Sequence, residues 1–294
     1  MKTPVFLGTS TAIVTPFRDG KVDYKKLGEL IDFQIAGGVA AITICGTTGE
    51  SSTQSLEEHT ATVDFCIKHV NSRVKVIAGT GSNDTLAALF LSQEAEKSGA
   101  DAALMVTPYY NKTTQRGLIK HFTYVADRIN IPIILYNVPG RTGMSFTSDT
   151  YLELSKHPNI NGVKEASGSF KLIGTTLASC GDELFFWSGN DEDTVPLMSI
   201  GGKGVISVAS NIIPGKFSEM TKLCLEGDFK GASDIHLEYL DLMDKLFIEV
   251  NPMPVKAAMN LMGMDVGEPR MPLCDLAPEN LEKLRKSMKA VGLL

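Results

Sequence analysis

Short runs of apolar and β-branched residues recur along the chain, each followed by glycine, threonine, serine or proline and then by a segment with helical spacing. The runs are Ser10–Val14, Ala41–Cys45, Val74–Ala78, Ala102–Val106, Ile133–Leu135, Ile160–Val163, Leu184–Trp187 and Gly204–Val208. Their starts lie roughly 20–35 residues apart, the length of a strand plus a crossover helix. Their near-continuous apolar character suits strands covered on both faces. Between them, Asp23 is placed to cap a helix whose positions Leu27, Leu30 and Ile31 share a face before Gly37-Gly38 stops it. Ser55-Leu-Glu-Glu58 has the capping-box pattern, in which the serine accepts from the Glu58 amide and the glutamate reaches back. Val63, Cys66, Ile67 and Val70 continue that helix with one apolar face. Asn83 and Asp84 open another, which ends near Ser98-Gly99.

Eight such β–α units predict an α/β protein built as a (β/α)8 barrel of the TIM type. A doubly wound open sheet is the alternative, but its first strand would normally lead into a glycine-rich dinucleotide turn, and here it leads into Thr15-Pro-Phe. After Pro214 the rhythm changes: Lys216–Leu225, Gly231–Ile248, Pro254–Met262 and Pro278–Val291 read as helices with no strands between them. The expected organisation is a barrel over residues 1–225 carrying the active site and a C-terminal helical domain over 226–294.

Composition narrows the function classes. A formal charge of −6 argues against a nucleic-acid or anionic-membrane partner, since phosphate binding needs a basic face. No stretch approaches the roughly 20 apolar residues of a membrane span, and the N-terminal apolar run is too short for a signal peptide. Cys45, Cys66, Cys180, Cys224 and Cys274 are odd in number and widely spread, which fits reduced thiols in a cytoplasmic protein. His59, His69, His121, His157 and His236 show no metal-ligand spacing, so no transition metal is expected.

Chemistry concentrates after the strands, on the face where a barrel of this kind carries its active site. Lys164 in Asn161-Gly-Val-Lys-Glu-Ala-Ser-Gly168, Thr47 and Thr48 in Gly46-Thr-Thr-Gly-Glu50, and Tyr136 and Arg141 in Tyr136-Asn-Val-Pro-Gly-Arg141 all fall there. A lysine attacks a ketone only as the neutral amine, and an unperturbed lysine titrates near ~10.4. An apolar barrel mouth lowers that value by desolvation. The resulting protonated imine is an electron sink, and Tyr136 and Thr47 are hydroxyls able to move its protons. Arg141 suits bidentate capture of a carboxylate, and the amides and hydroxyls of the Thr47–Gly49 turn suit a second one. Each feature also has a plainer reading. Lys164 could be a solvated strand end, the Gly46–Glu50 turn a strand exit, and Arg141 a surface ion pair. Pro108-Tyr-Tyr-Asn111 could be a loop with packed aromatics. Gly201-Gly-Lys-Gly204 resembles a phosphate cradle, but it enters a strand and so belongs to the opposite face, where it reads as structural.

Gly46-Thr-Thr-Gly-Glu-Ser51, Thr107-Pro-Tyr-Tyr-Asn111, Tyr136-Asn-Val-Pro-Gly-Arg-Thr142 and Gly162-Val-Lys-Glu-Ala-Ser-Gly168, in this order, closely resemble the pyruvate-dependent class I aldolase/lyase family over essentially the whole chain. The resemblance implies condensation of pyruvate with L-aspartate 4-semialdehyde, in lysine and diaminopimelate biosynthesis, by a homotetramer arranged as a dimer of dimers. It implies no cofactor beyond a Schiff base on Lys164. Tyr136, Thr47 and Tyr110 match a proton relay, with the tyrosine at 110 reaching in from a neighbouring subunit. Thr48 matches a pyruvate-carboxylate contact, Arg141 the anchor of the semialdehyde carboxylate, and Gly189 and Ile206 backbone contacts near the imine. Relatives that act as N-acetylneuraminate lyases or keto-deoxy sugar-acid aldolases are the alternative, and they generally lack an arginine at the position of Arg141. Lysine-inhibited members carry ionisable residues in a pocket between subunits. The matching positions here are Leu56 and Ala87, with Ser51, His59, Asn83 and Tyr109 as its remaining walls, which implies weak or absent lysine feedback.

Overall fold

The alternation of side chains across each strand decides what fills the barrel and what lies outside it. The computed structural model describes residues 2–294. Eight parallel strands close on themselves: β1 Gly8–Ala12, β2 Ala41–Ile44, β3 Lys75–Gly79, β4 Ala102–Val106, β5 Ile133–Asn137, β6 Ile160–Glu165, β7 Phe185–Ser188 and β8 Gly204–Ser207. Each pairs with its sequence neighbour, and β8 returns to β1 through Gly8↔Gly204. Ile134, Tyr136, Phe185, Trp187 and Ile206 share an interior cluster with Phe6, whose ring stacks on Trp187 at 4.9 Å between centroids. The intervening Ile133, Leu135, Val163 and Phe186 face outward into a second cluster under the helices.

Those helices are α1 Tyr24–Ala36, α2 Leu56–Val70, α3 Thr85–Ser98, α4 Gln115–Ala126, the single turn α5 Pro139–Thr142, α6 Ser148–Ser155, α7 Phe170–Cys180, α8 Thr194–Ser199 and α9 Pro214–Glu226. Asp23, Asp84 and Ser55 cap α1, α3 and α2 through side-chain acceptors. The second half of the expected capping box does not form. Glu58 turns away from the helix start to bind the Arg270 guanidinium at 2.7 Å, a charged donor that competes better than a backbone amide.

Three expectations about strands need adjusting. The first strand begins at Gly8 rather than Ser10, because polar Thr9, Ser10 and Thr11 are buried on hydrogen-bond partners that an apolar-run reading undervalues: Phe217 O, Thr43 Oγ1 and Gln34 Oε1. Val14 leaves the ladder and donates its amide to Asn211 Oδ1 at 3.1 Å. Strands β5 and β6 each run two residues further than expected, so Tyr136 and Lys164 lie within strand ends rather than beyond them. A two-stranded ribbon, Phe17–Arg18 with Lys21–Val22, follows β1 and was not visible in the pattern. The Gly201–Gly204 segment enters β8 at the bottom, where Lys203 O accepts from the Gly8 amide.

The C-terminal helices α10 Phe229–Lys245, α11 Met253–Leu261 and α12 Pro278–Ala290 follow without strands, as expected. Tyr239, Leu242, Val255, Met259, Leu284 and Met288 belong to the same buried cluster as Ile13, Leu27 and Ile42 of the barrel. Among the described residues no helix is long and apolar enough to cross a membrane. All five cysteines are free thiols.

Candidate active site

Register brings the first two groups together. Tyr136 is the direct partner of Lys164 across β5 and β6, and Trp187 is its partner across β6 and β7. Both Tyr136 and Lys164 point into the barrel near its C-terminal mouth, and Lys164 Nζ stands 4.6 Å from the centroid of the Tyr136 ring. Gly162, two residues before the lysine on the same face, is required by crowding: a Cβ there would run into Phe185 O and the Trp187 ring. Gly189 follows the same logic, since its Cβ would sit 3.1 Å from Lys164 Cγ and 2.8 Å from Ala166 Cβ. Ile206 is fully buried in the interior cluster beside them.

Lys164 is only 5 % exposed and, among the described residues, stands in no ion pair. Its pKa falls from the ordinary 10.5 to about 8 because burial strips water from the ammonium, with Asp191 opposing and Arg141 adding to the fall. Burial raises the Tyr136 phenol above its ordinary value, opposed by the charge of Arg141 and by the Thr47 hydroxyl.

Thr47 and Thr48 stand in a turn closed by Gly49 N to Gly46 O and Glu50 N to Thr47 O, both 3.1 Å. Cys45 and Glu50, at its two ends, hold left-handed backbone at φ 53° each. For residues other than glycine this costs about 1–3 kcal/mol apiece, a strain that packing must hold in place. Thr48 is buried, and its Oγ1 accepts from Asn251 Nδ2 at 3.0 Å. Arg141 projects from α5 toward the mouth, and its Nη2 donates to Asn251 O at 3.2 Å.

Tyr110 is the one member of the expected relay that stands apart, being 93 % exposed with φ 67°. It does not pack within its own chain, so the reading of its loop as a cluster of packed aromatics is wrong for this residue. Ser51, Leu56, His59, Ala87 and Tyr109 line one cavity of about 320 Å³ that reaches Thr47 and Arg141. Asn83 is not among its walls, and its carbonyl accepts from Asn111 Nδ2 at 2.9 Å. His59 holds Gly79 O through Nε2 while its Nδ1 is unpartnered. Burial lowers its pKa, with the Gly79 contact opposing.

Sequence reading missed two residues. Asp191, buried beyond β7, accepts from the amides of Val208 and Ala209 at 3.2 and 2.8 Å and faces Lys164 electrostatically. Asn251, from the connection between α10 and α11, joins the Thr48 and Arg141 loops. An acid two residues after Gly189 was a faint signal for the first. Nothing in the chain pattern marked the second, because its role depends on the C-terminal helices folding back over the mouth. Among the described residues no group of three or more His, Cys, Asp or Glu is placed to hold a metal.

A buried, low-pKa lysine beside a phenol, at the mouth of an eight-stranded barrel, matches known proteins over the full chain. Residues 5–291 match the model of the dihydrodipicolinate synthetase family. A 4-hydroxy-tetrahydrodipicolinate synthase of Acetivibrio thermocellus is 51 % identical over 100 % of both chains. The crystal structure of dihydrodipicolinate synthase from Aquifex aeolicus superposes with a TM-score of 0.96 at 46 % identity, covering 98 % of this chain and 99 % of that one. A chloride-inhibited dihydrodipicolinate synthase from Acinetobacter baumannii, complexed with pyruvate, gives the same score at 42 % identity with the same coverage. Sequence and fold therefore agree that the chain belongs to the dihydrodipicolinate synthetase family.

Proposed function

We propose that the chain is a Schiff-base lyase of the class I aldolase type that condenses pyruvate with L-aspartate 4-semialdehyde, forming 4-hydroxy-tetrahydrodipicolinate for lysine and diaminopimelate biosynthesis. The observation that carries this reading is Lys164 itself: buried, at a pKa of about 8 and beside Tyr136. Near neutral pH a useful fraction of it is already the amine. Its nitrogen attacks the keto carbon of pyruvate, and the carbonyl oxygen leaves as water after taking up protons through Tyr136 and Thr47. The methyl carbon of the resulting iminium loses a proton, and the enamine attacks the aldehyde carbon, whose oxygen is protonated. The amino group of the second substrate then adds to the imine carbon, closing the ring and releasing Lys164.

Thr48 and its neighbouring amides hold the pyruvate carboxylate, while Arg141 holds that of the semialdehyde. Gly189 and Ile206 frame the imine with their backbones. Tyr110 completes the relay in a second copy of the chain, consistent with its exposure and strained backbone here. The active assembly is then a dimer at least, and a tetramer of two such dimers in a cytoplasmic enzyme. No cofactor or metal enters the scheme.

Borohydride reduction in the presence of pyruvate, followed by peptide mass mapping, tests the proposal. A reduced pyruvyl adduct on Lys164, absent in Lys164→Ala, is expected. Folded protein that gives no adduct would overturn it. Turnover of keto-deoxy sugar acids in place of the semialdehyde would assign the chain to the sugar-acid branch instead.

A further inference from the structure

The most deeply buried ion pair among the described residues lies outside the reacting groups. Lys256 Nζ on α11 stands 2.6 Å from Glu50 Oε1, with both side chains 1 % exposed. The contact is one of charges, without the alignment of a hydrogen bond at that oxygen. The other carboxylate oxygen, Oε2, accepts from the Arg270 amide at 2.8 Å. Both cations also lie over the Phe17 ring, at 4.4 Å for Lys256 and 4.0 Å for Arg270. Burial pulls the Lys256 pKa down, and Glu50 opposes it. A buried pair of this kind is a poor source of stability, because an apolar pair of similar volume packs as well without losing hydration.

What this pair does hold is the end of the turn that carries Thr47 and Thr48. Glu50 is the left-handed residue at which that turn finishes. Its preceding residue is gripped as well, since Gly49 O accepts from Thr15 Oγ1 at 2.7 Å and from Gln54 Nε2 at 2.9 Å. Five residues before Lys256, Asn251 holds the Thr48 hydroxyl. One stretch of the C-terminal helices thus grasps the turn at two points.

We infer that Glu50 and Lys256 are positioning residues, whose ion pair fixes the Thr47–Thr48 turn against the barrel mouth so that its hydroxyls meet the Lys164 imine and the pyruvate carboxylate. The inference rests on the proposed Schiff-base function. Pyruvate trapping on the unaltered protein separates the two: without an adduct there, the function fails before the pair is tested.

The experiment compares Glu50→Gln, Lys256→Met and the double variant for thermal midpoint, steady-state kinetics and rate of trapping. The double variant removes both charges and is expected to fold with a midpoint close to that of the unaltered protein. Its kcat is expected to fall at least tenfold and its KM for pyruvate to rise at least threefold. KM for the aldehyde, whose carboxylate is held from another loop, is expected to stay within about twofold. The single variants are expected to lose as much activity as the double, because all three break one contact. A folded double variant with unaltered kcat and pyruvate KM would overturn the inference. Failure of all three to fold would overturn it too, by making the pair a stability element.

Discussion

A lysine that must work as a free amine is best kept where its ammonium is poorly hydrated, and that choice sets both its reactivity and its cost. Lys164 titrates at about 8 in the fold against an ordinary 10.5. That difference corresponds to about 3 kcal/mol of penalty on its charged form. Because the folded pKa lies below the unfolded one, the penalty is complete below about pH 8 and fades as pH rises toward 10.5. Lys164→Met is therefore expected to abolish imine trapping while stabilising the fold at pH 7 by about 1–2 kcal/mol, part of the penalty being offset by the Tyr136 ring. Denaturant unfolding checks this, and a destabilised variant would refute it. The rate of imine formation is expected to climb with pH and level off above about 8. Tyr136→Phe removes the neighbouring proton carrier and is expected to lower kcat by about 100-fold or more, with the thermal midpoint little changed. Lys164, Tyr136 and the two threonines were legible because strand ends of a barrel converge. Asp191 and Asn251 were not, since their value depends on contacts with residues 17 and 18 positions downstream and over a hundred upstream.

At the scale of elements, the apolar runs announced all eight strands, and capping residues announced the starts of α1, α2 and α3. What escaped was not governed by periodicity: the Gly8 start of the polar first strand, the Phe17 ribbon, and Glu58 turning to Arg270. The Ser55 cap is therefore worth a single interaction, not a reciprocal pair. Ser55→Ala is expected to cost about 1 kcal/mol by thermal or denaturant unfolding. Arg270→Ala, which frees Glu58 and removes a cation from Phe17, is expected to cost more. The reverse order would show that the capping serine dominates this region.

For the whole molecule, we propose that residues 1–225 and 226–294 are units in chain order but not in folding. One buried cluster runs through both, and the C-terminal stretch holds the Thr48 and Arg141 loops. Cutting away the appendage is expected to abolish activity. The cavity beside the active site bears on regulation. Leu56, Ala87 and Leu91 line it, and among its walls only His59 and Arg141 are ionisable apart from the Tyr109 phenol. None of these offers a negative charge to an ammonium group. Millimolar L-lysine is therefore expected to leave initial rates nearly unchanged, and substantial inhibition would contradict the reading.

The stacked Phe6–Trp187 pair has a practical consequence of its own. Trp187 is the only tryptophan of the chain and is fully buried, one strand away from Lys164. The protein thus contains a single indole fluorophore, at the centre of its catalytic barrel. Its emission is expected to be blue-shifted in the folded state and to move to the red when the barrel opens, so one optical signal follows the integrity of the site without any label.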